Sequence, residues 1–228
     1  MANPSAANVA KPRRTPLVFV PAMIATGRVY QGLLDDLRTD RDVYVVEHDL
    51  DPPEPITWKF FFQEIDQIAP AGQFDIMGQS LSGPMVAQYA ASFPDRVRRT
   101  VLIGPVLFQF DREPRSLGRK VRNLYLAARS GQFRRFIRAL RTMRQRMGTE
   151  RMRRINAFGS GLDLTPTLRK LTNTTVIWQR DEEVIPAADQ ARIAEYAKIQ
   201  VRVTRGSHLS PALEPHLLLP TIRNVLDA

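Results

Sequence analysis

Hydrophobic residues form six short runs along this chain, and the runs are rich in β-branched and aromatic side chains. Runs of this length and composition, closed by Pro, Gly or polar residues, are typical of buried strands. The first run, TPLVFVPA, ends at Pro21. The predicted strands lie within residues 15–22, 41–49, 73–78, 97–106, 174–179 and 199–205.

Apolar positions recur at intervals of three and four between most of these runs, which is the helical period. The predicted helices lie within residues 29–38, 58–68, 84–93 and 187–198. Strands that alternate with helices of about ten residues indicate crossover connections and a parallel sheet. The pattern therefore predicts an α/β fold with a mostly parallel sheet of about six strands and helices on both faces.

The alternation breaks once, between the fourth and fifth predicted strands. Within that gap, QFRRFIRALRTMRQRM places apolar side chains at helical spacing and arginines on the opposite face. The apolar side chains are Phe133, Phe136, Ile137, Leu140, Met143 and Met147. Residues 107–172 contain too few large apolar groups to bury a core of their own. We therefore expect a helical cap inserted into one domain spanning 15–228, after a flexible leader at 1–14.

The positive charge of the chain is concentrated in this insertion. The net charge is +10, but residues 112–170 hold 17 Arg and Lys against 3 acidic residues, and the remainder holds 16 basic and 20 acidic residues. Arginine suits carboxylates and phosphates, so an acidic acyl carrier protein, a coenzyme A thioester or an anionic membrane surface is a candidate partner. A merely solvated face is the alternative. Nucleic acid is disfavoured because the basic run lacks a recognisable binding module.

The amino-acid composition restricts the possible catalytic and metal-binding chemistry and indicates the cellular compartment. The chain is 43% hydrophobic and 25% charged, as in ordinary globular domains. No window approaches the roughly 20 apolar residues of a membrane span, and the N-terminus lacks the apolar core of a secretory signal, so we expect a cytoplasmic protein. The chain has no cysteine, which excludes disulfides, thiolate metal sites and a cysteine nucleophile. The chemistry inferred below requires no metal and no cofactor.

The segment MGQSLSGP, residues 77–84, joins the third predicted strand to a helix. Ser80 lies at the turn, with Gly78 and Ser82 two positions to either side. A sharp strand-to-helix turn needs small residues at those positions, and the pattern resembles the nucleophile elbow G-x-S-x-G. Taken alone, the segment also fits a serine that caps the helix.

A serine nucleophile needs a base and an orienting carboxylate. Of the three histidines, His208 follows the last predicted strand, and the acidic cluster Asp181, Glu182 and Glu183 follows the strand before it. The carboxyl ends of parallel strands lie at one edge of a sheet, so these groups are predicted to meet near the elbow. We interpret the other two histidines, His48 and His216, as ordinary surface residues.

These residues make the chain resemble the α/β-hydrolase superfamily from about residue 16 to the C-terminus. The resemblance implies a Ser–His–acid triad formed by Ser80, His208 and an acid. Aligned through the strand and the proline that follows the acidic cluster, the family pattern places the acid at Glu182, with Asp181 as the alternative one residue earlier.

The resemblance also implies an oxyanion hole made of two backbone N–H groups. One belongs to Leu81, after the nucleophile, and the other to Met23, which follows Pro21-Ala22 where the family usually has His-Gly. The expected activity is a serine hydrolase that cleaves a carboxylic ester or acyl thioester through an acyl-enzyme. The alternatives are a lyase or C–C bond hydrolase without an acyl-enzyme, and a catalytically silent binding protein.

Overall fold

One parallel sheet organises the part of the chain that the structure describes. The computed structural model describes residues 14–22, 25–48, 56–108, 137, 141, 154, 158 and 162–228. The strands are β1 (Arg14–Val20), β2 (Arg41–Val45), β3 (Phe74–Gln79), β4 (Val97–Ile103), β5 (Thr174–Asp181) and β6 (Ile199–Ser207). Their order is β2-β1-β3-β4-β5-β6, and every neighbouring pair is parallel. The predicted α/β fold with about six strands is confirmed.

Helices cover both faces of this sheet. The described α-helices are α1 (Gln31–Leu37), α2 (Trp58–Asp66), α3 (Gly83–Ser92), α4 (Thr165–Leu168), α5 (Ala187–Ile193), α6 (Ser210–Leu213) and α7 (Leu219–Asp227). Single 3₁₀ turns occupy Gly27–Tyr30, Ser80–Ser82 and Pro215–Leu217. Helices α2, α3 and α5 contribute to the core on one face, and α1, α6 and α7 to the core on the other. None of these helices combines the length and apolar composition that crossing a bilayer requires.

Burial on both faces explains why the predicted strands are apolar at nearly every position. All six residues of β3 are buried. Phe74 and Ile76 contribute to one core and Met77 to the other, because successive side chains of a strand point to opposite faces. The strand that carries the candidate nucleophile is therefore held rigidly between two packed layers.

Several predicted boundaries were wrong by a few residues. Strand β2 ends at Val45 rather than residue 49, because its neighbour β1 ends at Val20 and the following Pro21 has no N–H to continue the ladder. Strand β4 ends at Ile103 rather than residue 106, because Gly104 turns the chain with φ +50°. Strands β5 and β6 continue to Asp181 and Ser207, two residues beyond the predictions.

The predicted leader and cap lie mostly outside the described residues. Strand β1 begins at Arg14, the last residue assigned to the leader. Within the cap, Phe158 packs against α2, with its ring centroid 5.3 Å from that of Trp58 and 5.5 Å from that of Phe61. This contact places Phe158 against the domain. Other residues of the predicted range 107–172 are buried in the domain core: Leu107, Phe108, Leu164, Leu168 and Leu171.

An ionic network closes the amino-terminal edge of the sheet. The Asp75 carboxylate is fully buried and accepts hydrogen bonds from Arg98 Nε and Nη2 at 2.9 and 2.7 Å. Arg41, also buried, lies 3.6 Å from Asp75 and donates to Asp227 of α7 at 2.6 Å. Each buried charge has an opposite charge beside it, so no buried ion is left unpaired in this network. The network thereby connects α7 to the sheet.

Candidate active site

Ser80 occupies a strained turn at the carboxyl end of β3. Its φ is +57°, in the left-handed region that non-glycine residues rarely adopt. Ser80 is partly exposed, whereas its neighbours Gln79, Leu81 and Ser82 are buried. The turn therefore presents the Ser80 side chain at the edge of the sheet, as a nucleophile elbow does.

Close packing explains the small residues around Ser80. A Cβ atom on Gly78 would lie 2.6 Å from Val86 Cγ2, and one on Gly83 would lie 2.5 Å from Pro105 Cβ. Ser82, which takes the place of the second elbow glycine, is fully buried and donates its hydroxyl hydrogen bond to the Pro21 carbonyl. The sequence indicated that Ser82 is small but not that its hydroxyl holds the loop after β1.

The structure brings Ser80, His208 and Glu182 into one hydrogen-bonded chain. His208 Nε2 lies 2.9 Å from Ser80 Oγ, and His208 Nδ1 lies 3.0 Å from Glu182 Oε2. The Glu182 side chain is 1% exposed, and its Oε1 accepts hydrogen bonds from the N–H groups of Val184 and Ile185 at 2.8 and 3.2 Å. Because Nδ1 faces a carboxylate it carries the proton, which leaves Nε2 able to accept from Ser80.

The other two residues of the acidic cluster, Asp181 and Glu183, occupy different positions from Glu182. Asp181 is exposed at the end of β5, where it pairs in register with Ser207. Glu183 Oε2 accepts a hydrogen bond from the backbone N–H of His208 at 3.1 Å. Two consecutive glutamates thus hold the histidine, Glu182 at its ring and Glu183 at its backbone, whereas Asp181 is exposed.

Gly104 lies directly behind the acid–histidine pair. A Cβ atom there would lie 3.1 Å from both Glu182 Oε2 and His208 Nδ1, and 3.2 Å from Gln179 Oε1. With φ +50° and this close approach, the end of β4 requires glycine. Sequence reasoning missed this position, although a glycine after an apolar strand was a visible signal.

A second network joins the loop after β1 to the histidine loop. The Ala22 N–H donates to Tyr30 Oη at 3.4 Å, Tyr30 donates to Gln79 Oε1 at 2.6 Å, and Gln79 Nε2 donates to the His208 carbonyl at 3.1 Å. Burial raises the pKa of Tyr30, so its phenol stays protonated and remains a donor. Of the two predicted oxyanion donors, Leu81 is buried in the turn beside this network, and Met23 lies outside the described residues.

The prediction that His48 is an ordinary surface residue was wrong. Its side chain is 7% exposed, with Nδ1 3.0 Å from Glu64 Oε2 and Nε2 3.0 Å from the Pro21 carbonyl. Burial alone would lower the pKa of His48, but the hydrogen bond and charge of Glu64, together with the Pro21 carbonyl and the charge of Glu47, outweigh burial and raise the pKa above its ordinary value. His216, in contrast, is exposed as predicted.

The site lies where the chain changes direction across the sheet. Strand β1 leads to β2 on one side and neighbours β3 on the other, and open α/β sheets bind ligands at such switch points. Among the residues described, no group of three or more His, Asp or Glu side chains is arranged to hold a metal ion. The functional groups at this edge are a hydroxyl, an imidazole and carboxylates.

Comparisons with known proteins agree with this architecture. A family model described as alpha/beta hydrolase fold matches residues 59–158. The structure is similar to that of 2-hydroxy-6-oxo-6-phenylhexa-2,4-dienoate hydrolase from Rhodococcus sp. strain RHA1, with 16% identity over 96% of this chain and 92% of that one and a TM-score of 0.68. The comparison with curated proteins found no match.

Two further similar structures carry other hydrolase names. A thioesterase domain from the curacin biosynthetic pathway shares 12% identity over 96% of this chain and 93% of its own, with a TM-score of 0.68. A thermophilic esterase from Thermogutta terrifontis shares 17% identity over 94% of this chain and 90% of its own, with a TM-score of 0.64. The predicted resemblance is therefore confirmed at the level of the fold: this chain has the α/β-hydrolase fold.

Proposed function

We propose that the protein is a serine hydrolase that cleaves a carboxylic ester or an acyl thioester through an acyl-enzyme. The observation that carries the proposal is the continuous chain from Ser80 Oγ through His208 to Glu182, with heavy-atom distances of 2.9 and 3.0 Å. The hydrolase, esterase and thioesterase names among the similar structures support the same reaction class.

In the acylation step, Ser80 Oγ attacks the substrate carbonyl carbon while His208 Nε2 takes the hydroxyl proton. Glu182 stabilises the resulting imidazolium and keeps the ring oriented. The tetrahedral intermediate then collapses, the C–O or C–S bond breaks, and the His208 proton passes to the leaving alcohol or thiol. In the second step His208 takes a proton from water, which attacks the acyl carbon. The bond from that carbon to Ser80 Oγ then breaks, His208 returns the proton to Oγ, and the carboxylic acid leaves.

Charge on the carbonyl oxygen is stabilised by backbone N–H groups in this scheme. Leu81 supplies one of them. The Ala22 N–H is engaged by Tyr30, so the donor from the loop after β1 is assigned to the next residue, Met23. A docking role for the arginine-rich insertion, with an acidic carrier protein or another anionic substrate, stays a prediction, because most of the insertion lies outside the described residues.

The test is direct detection of the acyl-enzyme. Wild-type protein mixed with p-nitrophenyl acetate, and separately with an acyl thioester, is quenched early and its intact mass is measured. We expect a burst of p-nitrophenol and a mass increase of one acyl group that maps to Ser80. Ser80→Ala is the matched control and should give neither.

Other outcomes select among the alternatives. Turnover of a C–C substrate that needs Ser80 but never accumulates an acyl adduct would favour the lyase or C–C hydrolase. Tight ligand binding with no turnover across the ester and thioester panel would favour a binding protein. Either result would overturn the acyl-transfer proposal.

A further inference from the structure

His48 faces two oxygen acceptors at once. Its Nδ1 lies 3.0 Å from Glu64 Oε2, and its Nε2 lies 3.0 Å from the Pro21 carbonyl oxygen. A neutral imidazole carries one N–H and one lone pair, so it donates to one acceptor and presents its lone pair to the other. The protonated ring donates to both, and the geometry therefore fits the imidazolium.

The charges around His48 favour the same form. Glu64 on α2 is 8% exposed and hydrogen-bonded to the ring, and Glu47 comes from the segment that follows β2. The other described elements in contact, the loop after β1 and the Ser80–Ser82 turn, present the uncharged Pro21 carbonyl and the Ser82 hydroxyl. The described charged groups that face the ring are both acidic, so they stabilise a cation.

His48 contacts the peptide group between Pro21 and Ala22. The carbonyl of that peptide accepts a hydrogen bond from Ser82 Oγ and lies 3.0 Å from His48 Nε2, and its N–H donates to Tyr30 Oη. With both polar atoms held, the orientation of the peptide plane is fixed. The segment is the one that would aim the oxyanion donor at the carbonyl bound to Ser80.

We propose that protonated His48, paired with Glu64, is a positioning residue that fixes the Pro21–Ala22 peptide and makes turnover sensitive to alkaline pH. The inference rests on the proposed function, because it concerns the rate of acyl transfer at Ser80. His48 touches no substrate in this scheme and acts through the backbone.

Deprotonation of His48 would remove the hydrogen bond from its Nε2 to the Pro21 carbonyl. The remaining proton stays on Nδ1, because the Glu64 carboxylate is a stronger acceptor than a peptide carbonyl. Nε2 then presents a lone pair toward the Pro21 carbonyl. Ser82 Oγ, which lies 3.5 Å from Nε2, becomes its donor, and the carbonyl loses both hydrogen bonds together.

The direction of the pH effect follows from the raised pKa of His48. A cation stabilised in the folded state contributes fully below the unfolded pKa, and its contribution is lost as pH rises through the folded pKa. Acyl transfer should therefore show an alkaline fall, which is a loss of rate as pH rises through the folded pKa of His48.

Nitrogen NMR tests the protonation state without any substrate. The chain has three histidines, so the ring signals are assigned from His48→Gln, His208→Ala and His216→Ala proteins. We expect His48 to show imidazolium ¹⁵N shifts at pH 7 and to lose them as pH rises further. A neutral His48 ring at pH 7 would overturn the inference whatever the enzyme hydrolyses.

Glu64 variants test the effect on turnover, with p-nitrophenyl acetate as substrate and Ser80→Ala as the blank for spontaneous hydrolysis. In Glu64→Gln the amide donates to Nδ1 of a neutral His48, whose Nε2–H still donates to Pro21. This protein should retain more kcat than Glu64→Ala and should lack the alkaline fall. The exposed His216→Ala control should keep the wild-type profile, and KM should change less than kcat, because the oxyanion forms after substrate binds.

Failure of this inference is distinct from failure of the proposed function. Absence of an acyl-enzyme in the wild-type protein removes the proposed function, and NMR still decides the state of His48. An acyl-enzyme that forms in wild type, Glu64→Gln and Glu64→Ala with one common pH profile would show that the positioning role is wrong.

Discussion

Two Ser–His–Glu clusters flank the same turn, and they differ in what their serine and histidine can do. Both histidines hold a glutamate oxygen 3.0 Å from Nδ1, whereas the Nε2–Oγ distance is 2.9 Å in one cluster and 3.5 Å in the other. The clusters are Ser80–His208–Glu182 and Ser82–His48–Glu64. The same residue types thus occur twice within one edge of the sheet.

The difference lies in exposure and in the acceptors nearby. Ser80 is partly exposed and held at positive φ, with the His208 Nε2 within hydrogen-bonding distance. Ser82 is fully buried, and its proton goes to the Pro21 carbonyl, which also faces His48 Nε2. In the second cluster the serine hydroxyl and the imidazole both contact the Pro21 carbonyl, so they hold the backbone in place. A nucleophile thus requires an accessible hydroxyl and a base nitrogen that can accept its proton.

Exchange of each serine for alanine gives the largest expected contrast. Ser80→Ala should lower kcat on p-nitrophenyl acetate by on the order of 10⁴-fold or more, because it removes the nucleophile. Ser82→Ala removes one hydrogen bond to a carbonyl and should lower kcat by less than about tenfold, consistent with about 1 kcal/mol. Steady-state kinetics measures kcat for both variants, and circular dichroism checks that each variant is folded. Similar losses in both variants would mean that the clusters are not functionally distinct.

Replacement of the acids tests which carboxylate belongs to the first cluster. Glu182→Gln should lower kcat by about 10²–10⁴-fold, because an amide cannot hold His208 in the required tautomer and stabilise its cation. Asp181→Asn should change kcat by less than about threefold, since this side chain is exposed at the end of β5. The reverse ranking in kcat/KM would move the acid to Asp181.

Strand pattern and chain order predicted the fold and the meeting of Ser80, His208 and the acidic cluster, whereas the preference for Glu182 over Asp181 came from the resemblance to the α/β-hydrolase superfamily. Apolar runs that are buried on both faces are recognisable from the sequence alone, as β3 illustrates. Ser80, Glu182 and His208 each follow a strand, and parallel strands place those ends together. The segment around Ser80 alone also fitted a helix cap, so the prediction depended on the positions of all three groups after their strands.

The second cluster could not be predicted in this way, because it depends on packing between distant segments. His48 follows β2 and Glu64 lies on the buried side of α2, and no sequence spacing shows that they meet at Pro21. Likewise, Gly104 matters through atoms of Glu182 and His208, which are more than seventy residues away in the chain. Contacts of this kind arise from how layers pack.

Gly104→Ala should disturb the first cluster and spare the second. The added Cβ would lie 3.1 Å from Glu182 Oε2 and His208 Nδ1, at a φ of +50°. We expect the free energy of unfolding to fall by about 1–2 kcal/mol, and kcat to fall by roughly 10- to 100-fold as the pair shifts. Gly72→Ala, where a Cβ meets nothing within 4 Å, is the matched control. Wild-type kcat in Gly104→Ala would show that the histidine tolerates displacement.

Tyr30→Phe gives the smallest expected effect, and it asks whether the two clusters are coupled. Tyr30 joins the Ala22 N–H, in the peptide held by the second cluster, to Gln79, which precedes Ser80. Loss of the hydroxyl leaves both groups without this partner, so we expect about 1–2 kcal/mol less stability in urea unfolding and a kcat about 2- to 5-fold lower. Tyr196→Phe, outside this network, should match wild type. A double variant that combines Tyr30→Phe with Glu64→Ala tests the coupling. If both clusters act through the Pro21–Ala22 peptide, the two effects on kcat should be non-additive by about 0.5 kcal/mol or more. Additive effects would mean that each cluster holds its part of the site independently.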